Sequence, residues 1–195
     1  MKQNKKIAVT GGIGSGKSTA MKMIKEHGFA VFSCDEVYAD LVKDKRFLKK
    51  LCDIFGDIVT PEGQLDRKKL ATIVFSDKNA LEKLNAFTHP EIYRELFWRA
   101  KNESGTCFFE VPLLFEDGAQ DKFDCVLIIE RDNDKRIDGV IIRDNLSREE
   151  VIKRINNQLN YDNNDFAKYY VIHNNGDLQQ LQKEIDHFLL TKGLI

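Results

Sequence analysis

A glycine-rich run near the start of the chain contains residue types that could bind phosphate groups. The run matches the pattern G-x-x-x-x-G-K-[ST] from Gly11 to Ser18. Glycines allow backbone N–H groups to approach phosphate oxygens without an intervening side chain. In this pattern the ammonium group of Lys17 reaches the β- and γ-phosphates of a nucleotide, and the hydroxyl group of Ser18 ligates Mg²⁺. The run therefore predicts a binding site for a nucleotide with magnesium.

The segments on either side of this run have the pattern that such a loop requires. Residues Lys6–Thr10 (KIAVT) indicate a buried strand, and a helix is expected from about Ser18 to His27, with the positive end of its dipole towards the phosphates. A guanine nucleotide is not favoured, because there is no N-K-x-D motif and the D-x-x-G match at Asp53 follows a helical segment. We expect these residues of the loop and first helical turn to contact ATP: Gly12, Ile13, Gly14, Ser15, Gly16, Lys17, Ser18 and Thr19.

Short apolar runs alternate with helical patterns along the chain, which is typical of a parallel α/β sheet. The further predicted strands are Ala30–Ser33, Thr106–Val111, Cys125–Ile129 and Tyr169–Ile172, and an amphipathic helix is expected over Asp177–Leu190. Residues 36–104 look almost wholly helical, which exceeds a simple crossover and indicates an inserted subdomain. Within it, His89-Pro90 is expected to end one helix and begin the next. Ser147 and Glu150 form a capping-box pattern at the start of a later helix.

The composition limits the classes of protein that the chain can represent. The length of 195 residues fits one domain with an insertion. The formal net charge of -1 argues against a protein that coats nucleic acid or anionic membrane. The cysteines form no C-x-x-C pair, which argues against zinc or redox chemistry, and no stretch approaches the about 18 apolar residues of a membrane span. We expect a cytoplasmic protein, a monomer or weak homo-oligomer, with small-molecule partners and with no nucleic acid or membrane partner.

Several further motifs, taken in order along the chain, are similar to those of dephospho-coenzyme A kinases. The resemblance begins at the loop, where Val9–Thr19 is close to the opening signature of that family and narrower than a general phosphate-binding loop. The other matching pieces are Asp35, Gly63–Arg67 with Leu70 and Phe75, Leu84-Asn85 with His89-Pro90, Val111–Glu116 (VPLLFE), Arg143-Asp144 with Arg154 and Gln158, and Val171–Asn174 with Gly176.

The resemblance implies an architecture and a reaction. It implies an α/β fold in which a P-loop kinase core with a five-stranded parallel sheet occupies residues 1–35, 105–142 and 160–195. A helical coenzyme-binding subdomain would span about 36–104 and a lid about 143–159. The implied reaction is transfer of the γ-phosphoryl group of ATP, with Mg²⁺, to the ribose 3′-hydroxyl of dephospho-coenzyme A. The alternatives are a kinase for a nucleoside monophosphate or shikimate, and a nucleotide-dependent switch protein without transfer activity.

The resemblance also suggests roles for residues outside the loop. Asp35 follows a strand end, where a carboxylate can accept the proton of the acceptor hydroxyl, although its position also suits a helix N-cap. The resemblance favours the role of base for Asp35, and it implies that Arg143 is a lid cation that stabilises the transferring charge. Asn174 is expected on the ATP side, and contacts with the coenzyme are expected from Arg67, His89 and Glu116. His89 suits a turn cap equally well, and Glu116 also suits the start of a helix.

The chain departs from the family pattern at a few positions. Ser33 stands in place of the first acid of a D-A-D motif, which weakens direct help with magnesium. Gly139 stands where many relatives carry an arginine, so one positive group near the phosphates is expected to be absent. His173 and the Lys168-Tyr169 pair alter the last motif, from which adenine-side contacts are expected.

Overall fold

The computed structural model describes residues 4–159, 161 and 166–195. The predicted boundary between lid and core at residue 160 lies outside this part of the chain. The described chain divides into two compact units, one formed by the residues up to Phe32 and from Asn102 onward, the other by Ser33–Lys101. Among the described residues, no helix is both long and apolar enough to cross a membrane.

The first unit is built on a five-stranded sheet. Its strands are β1 (Lys5–Thr10), β2 (Ala30–Ser33), β3 (Thr106–Glu110), β4 (Cys125–Glu130) and β5 (Tyr170–His173), in the spatial order β2-β3-β1-β4-β5. The central strand β1 pairs in parallel with β3 and β4, so that Ile7 lies between Phe108 and Cys125. Strands of a parallel sheet are covered on both faces, which explains why Ile7, Ala8 and Val9 are all fully buried.

The helices of the first unit are α1 (Lys17–Glu26), α6 (Asn133–Asp144), α7 (Arg148–Asn156) and α8 (Leu178–Thr191), with a short 3₁₀ helix at Gln120–Lys122. Another 3₁₀ helix, Ala100–Asn102, lies where the chain passes from the second unit back to the first. The apolar faces of α1 and α8 pack with β1, β3, β4 and β5 in one cluster that includes Ile24, Phe108, Leu127 and Phe188. The predicted parallel α/β class and the five-stranded sheet are confirmed.

The helices α6 and α7 form a pair joined by a short turn. Asn145, with a left-handed φ of 52°, ends α6. Ser147 then caps α7, and the predicted capping box is confirmed: Ser147 Oγ accepts the Glu150 N–H at 3.3 Å, and Glu150 Oε2 accepts the Ser147 N–H at 2.8 Å. The pair has its own small core of Ile137, Val140 and Val151. The predicted lid, 143–159, covers the end of α6 and the whole of α7.

The second unit is helical. Its helices are α2 (Cys34–Leu41), α3 (Lys45–Phe55), α4 (Arg67–Ser76) and α5 (Lys78–Arg99), and a short antiparallel bridge joins Val59 to Leu65. The unit has a separate apolar core that includes Phe47, Leu51 and Ile58. The helical character expected for residues 36–104 is therefore confirmed, while the assignment of this unit to the coenzyme stays a prediction.

The expectation that His89-Pro90 separates two helices is wrong, because α5 continues through Pro90 to Arg99. Proline lacks the N–H that would bond to the carbonyl group of Ala86, and it disfavours helical geometry at the residue before it. Packing outweighs this local preference, since α5 contacts α2 and α4 and buries residues on both sides of the proline, among them Thr88 and Tyr93.

Candidate active site

The glycine-rich loop joins β1 to α1 at the edge where the parallel strands β1, β3, β4 and β5 end. Gly16 adopts a φ of 102°, which disfavours other residues, and a β-carbon there would lie 2.3 Å from Asn174 Nδ2. Asn174 Nδ2 donates a hydrogen bond to Ser15 O at 2.8 Å, and the Asn174 N–H donates to Glu130 O at 2.7 Å. The predicted ATP-side residue Asn174 therefore lies against the loop backbone and orients the peptide that leads into α1.

The first turn of α1 is suited to bind an anion. Gly16 is the N-cap and has no side chain to bond the first amide groups, and no acidic residue lies in the first turn. Lys17, Ser18 and Thr19 occupy this turn, where backbone N–H groups and the helix dipole favour a negative ligand. Within the described residues, the buried Ser15 Oγ has no hydrogen-bond partner. Its hydroxyl group is therefore suited to donate a hydrogen bond to an oxygen of a bound ligand.

Lys17 is folded back onto the loop. Its side chain is only 9% exposed, and its Nζ donates to Gly11 O at 2.7 Å and to Gly12 O at 3.1 Å. A buried ammonium group needs hydrogen-bond partners, and here loop carbonyl oxygens provide them. This geometry holds the positive charge over the loop that would receive the phosphates.

Ser18 contacts a carboxylate that the sequence reasoning missed. Ser18 Oγ donates to Glu110 Oε1 at 2.8 Å, and Glu110 is the last residue of β3. Mg²⁺ in such sites takes hard oxygen ligands from one or two side chains together with substrate phosphates. The pair of oxygens fits that requirement. Glu110 could have been recognised as an acid at the end of a predicted strand beside the strand that precedes the loop.

Ile13 is held by residues of α6 and of the segment after α7. The Ile13 N–H donates to Gln158 Oε1 at 2.7 Å, and Ile13 O accepts from Arg136 Nε at 2.9 Å. The Ile13 side chain packs against the core of the α6–α7 pair. Ile13 was predicted as an ATP contact and Gln158 belongs to a motif of the resemblance, whereas no sequence pattern pointed to Arg136.

Arg143 lies near the end of α6 in a local ion pair. Its Nε and Nη2 donate to Asp144 Oδ1 and Oδ2 at 2.7 and 2.9 Å. Arg154 Nη1 lies 3.8 Å from Asp144 Oδ2. The hydrogen bonds with Arg143 hold the pKa of Asp144 below its ordinary value and raise the pKa of Arg143. The hydrogen bonds that the structure describes for Arg143 thus go to Asp144, and a role on ATP stays a prediction.

Asp35, Arg67 and His89 lie in the helical unit. Helix α2 begins at Cys34 with Ser33 as its N-cap, so Asp35 is an exposed residue of the first turn, and the N-cap alternative is wrong. The guanidinium group of Arg67 lies 5.7 Å from the centroid of the Tyr38 ring. His89 is a half-buried residue inside α5, so the turn-cap alternative is wrong as well.

Glu116 lies in the turns between β3 and β4, so it does not begin a helix. One of its carboxylate oxygens, Oε1, accepts the Leu159 N–H at 2.9 Å. This contact fixes the segment that follows α7. A contact of Glu116 with the coenzyme stays a prediction.

A cavity of about 530 Å³ opens beside the ends of β4 and β5. Its lining includes Arg131, Tyr161, His173 and Asn175. The Tyr161 hydroxyl lies 3.3 Å from Thr10 Oγ1, and burial raises the pKa of Tyr161 to about 12. Two of the departures from the family pattern, Tyr169 and His173, line this cavity, and His173 Nδ1 lies 3.3 Å from Glu130 Oε2. A β-carbon at Gly139 would lie 3.8 Å from Nη1 of the lining residue Arg131.

Comparison with known proteins gives consistent results. Residues 6–180 match the family model described as dephospho-CoA kinase. A dephospho-CoA kinase from Fusobacterium nucleatum is 38% identical over 189 residues, which cover 95% of this chain and 97% of the relative. A solved structure from Thermus thermophilus has a TM-score of 0.85 at 33% identity, covering 97% of this chain and 98% of that chain. A dephospho-CoA kinase from Campylobacter jejuni has a TM-score of 0.71 at 27% identity, covering 99% and 100%.

These similarities extend over nearly the whole chain, so they include the phosphate-binding loop, the helical insertion and the α6–α7 pair. The chain belongs to the dephospho-CoA kinase family.

Proposed function

We propose that the chain transfers the γ-phosphoryl group of ATP to the ribose 3′-hydroxyl of dephospho-coenzyme A, giving coenzyme A and ADP. The observation that carries the proposal is the uncapped first turn of α1 with Lys17 folded over the loop, within a chain of this family. That turn provides amide donors and a cation for the phosphates of ATP. The identity of the acceptor is inferred from the family. The family assignment does not favour the alternative of a kinase for a nucleoside monophosphate or shikimate.

The residues of the loop would position ATP. Phosphoryl transfer requires positioning and charge neutralisation more than covalent chemistry from the protein. The amides of the first turn of α1 bind the phosphates, and Lys17 neutralises charge at the β- and γ-phosphates. Asn174 holds the Ser15 carbonyl group and so maintains the direction of the following amides.

Mg²⁺ is part of the proposal because Ser18 and Glu110 fit it. Ser18 Oγ would ligate the ion beside the phosphates, and the Glu110 carboxylate, 2.8 Å away, would ligate it or orient a water molecule in its shell. When bound, the ion neutralises charge on the phosphate oxygens. The predicted cytoplasmic location and the monomeric or weakly oligomeric state stay predictions.

In the proposed transfer, the 3′-oxygen of the acceptor forms a bond to the γ-phosphorus as the bond from that phosphorus to the β-bridging oxygen breaks. The 3′-hydroxyl proton passes to the carboxylate of Asp35, and ADP leaves. Asp35 follows the end of β2 by two residues and is exposed, so its carboxylate is available as a proton acceptor. Arg143 would release Asp144 and stabilise the charge that develops on the transferring group.

A coupled assay for ADP tests the proposal. With ATP and Mg²⁺, ADP formation should depend on dephospho-coenzyme A, while adenosine, AMP and shikimate should be much poorer acceptors. Equal rates with AMP would contradict the acceptor assignment. Binding of ATP with no ADP formed, even with dephospho-coenzyme A, would favour a switch protein instead.

A further inference from the structure

Ile13, a residue of the phosphate-binding loop, contacts a distant part of the chain through its backbone and its side chain. Its N–H donates to Gln158 Oε1 at 2.7 Å, across 145 residues of sequence. Its carbonyl oxygen accepts from Arg136 Nε at 2.9 Å, across 123 residues. Its side chain packs against the core of the α6–α7 pair. Both polar groups and the side chain of one loop residue are therefore fixed by α6, by the segment that follows α7 and by the core of the α6–α7 pair.

Arg136, on α6, is buried against the loop. It is 5% exposed, and its Nη1 donates to Asn133 Oδ1 at 3.0 Å. A β-carbon on Gly12 would lie 2.2 Å from Arg136 Nη2, and one on Gly14 would lie 2.7 Å from Arg136 O. Burying a guanidinium group is costly unless it is hydrogen-bonded. The close fit to two glycines therefore indicates that loop and arginine are shaped to one another.

The backbone next to Gln158 is held by a hydrogen bond to Glu116. The next residue, Leu159, donates its N–H to Glu116 Oε1 at 2.9 Å. This bond fixes the backbone just after α7, next to Gln158. Gln158 is half-buried, and its amide oxygen accepts the bond from Ile13.

We propose that Arg136 and Gln158 are positioning residues that clamp the Ile13 peptide and hold the loop in its phosphate-binding conformation before ATP arrives. A glycine-rich loop loses more conformational entropy on ordering than other segments do. Holding the loop in advance removes part of that cost from binding, and so raises the affinity for ATP. The inference rests on the proposed function only in taking ATP as the ligand.

The clamp also couples the α6–α7 pair to the loop. Any displacement of this pair changes both hydrogen bonds of Ile13 at once, because the donor on α6 and the acceptor after α7 lie on either side of one residue. Arg136 and Gln158 therefore act on the phosphates through Ile13, without contacting the reacting atoms.

The test compares Arg136→Gln and Gln158→Met with the wild-type protein, with Arg148→Gln as the matched control. Arg148 lies on α7 and pairs with Asp134 at 3.1 Å, away from the loop contacts described above. Titration calorimetry with ATP and Mg²⁺ gives the affinity, and steady-state rates give KM for each substrate. Hydrogen exchange of the loop amides without ATP gives a readout that needs no turnover.

We expect each clamp variant to weaken ATP binding and raise its KM about tenfold, the effect of losing one buried hydrogen bond. The KM for dephospho-coenzyme A should stay near the wild-type value, and loop amides should exchange faster. The double variant should lose less than the product of the single effects, because both residues act through Ile13. Arg136→Lys, which retains a donor, should recover part of the affinity, and Arg148→Gln should behave as wild type.

ATP affinity within about twofold of wild type in both variants, with unchanged loop exchange, would overturn the clamp. Equal increases in KM for both substrates would also overturn it, because they would indicate a general structural defect. Gln158→Met keeps the test decisive if Arg136→Gln fails to fold. If the wild-type protein forms no ADP with dephospho-coenzyme A, yet the variants bind ATP more weakly, the proposed function fails while the clamp stands.

Discussion

At the scale of single residues, the site depends on charges held in place by backbone oxygens. Lys17 is mostly buried and bonded to the carbonyl groups of Gly11 and Gly12, and Ser18 is bonded to Glu110. Asp35, by contrast, is exposed in the first turn of α2. The loop therefore holds its cation in place without a ligand, while the carboxylate of Asp35, the proposed proton acceptor, is exposed.

Replacing Lys17 with alanine should lower turnover by at least about 10²–10³-fold, because a charge directed at the transferring group is lost. The fold should be retained, since the lost hydrogen bonds go to loop carbonyl groups and not to the apolar core. Turnover and circular dichroism check both points. Lys22→Ala, on the exposed face of the same helix, is the control and should keep wild-type turnover. More than about a tenth of wild-type activity in Lys17→Ala would count against the phosphate-binding role of the loop.

Asp35→Asn separates proton transfer from binding. The change keeps the size of the side chain but removes its capacity to accept a proton, so turnover should fall by about 10²–10⁴-fold. ATP affinity should change little, because Lys17 and the loop amides remain. Glu36→Gln is the matched control, since Glu36 is an exposed acid in the same first turn and its loss weakens the helix dipole interaction equally. Near-normal turnover in Asp35→Asn would contradict the role of proton acceptor and leave Asp35 only a favourable interaction with the dipole of α2.

Part of the site was predictable from the sequence and part was not. The phosphate-binding loop could be predicted because its motif, the strand before it and the helix after it all lie in one short stretch of sequence. Arg136 and Tyr161 reach their partners across 123 and 151 residues, and no local pattern records such contacts. Glu110 was recognisable as an acid at a strand end, but its contact with Ser18, across 92 residues, was not. These contacts depend on which strand ends and helices the fold brings to one edge.

At the scale of elements, the five strands and the helices α1 and α8 were predicted within a few residues, because their apolar runs agree with the fold. Helix α6 was not predicted, and α5 was predicted as two helices because a proline lies inside a helix that tertiary packing maintains. The α6–α7 pair follows its local signals at the turn, where Asn145 and the capping box of Ser147 lie. Its contacts with Ile13 carry the clamp proposed above, and the sequence of the pair does not predict them.

Arg143→Ala tests the α6–α7 pair as a catalytic element. If Arg143 leaves Asp144 and stabilises the transferring group, turnover should fall by roughly 10³-fold or more, the range for arginines in phosphoryl transfer. Loss of the exposed ion pair alone should affect stability only slightly. The measurement is single-turnover kinetics with both substrates saturating, and Arg148→Ala serves as the control. An effect confined to ATP affinity would make Arg143 a binding residue only.

At the scale of the whole molecule, one buried tyrosine links the stability of the fold to pH. Burial raises the pKa of Tyr161 from 10.0 to about 12. The unfolded chain therefore releases this proton first, so the contribution to stability is complete below about pH 10 and is lost as pH rises towards 12. We expect the free energy of unfolding of the wild-type protein to fall by about 1–3 kcal/mol more than that of Tyr161→Phe over this range. Urea unfolding of both proteins at several pH values measures the difference, and parallel curves would contradict it.

If the γ-phosphoryl group of ATP is transferred to the 3′-oxygen of dephospho-coenzyme A, the structure of the product shows it most directly. Phosphorus NMR and mass spectrometry of the reaction mixture should show one new phosphomonoester on the ribose 3′-position for each ADP formed. Lys17→Ala and Asp35→Asn should form the same product far more slowly. A phosphate on another position, or ADP formed without a phosphorylated acceptor, would contradict the account.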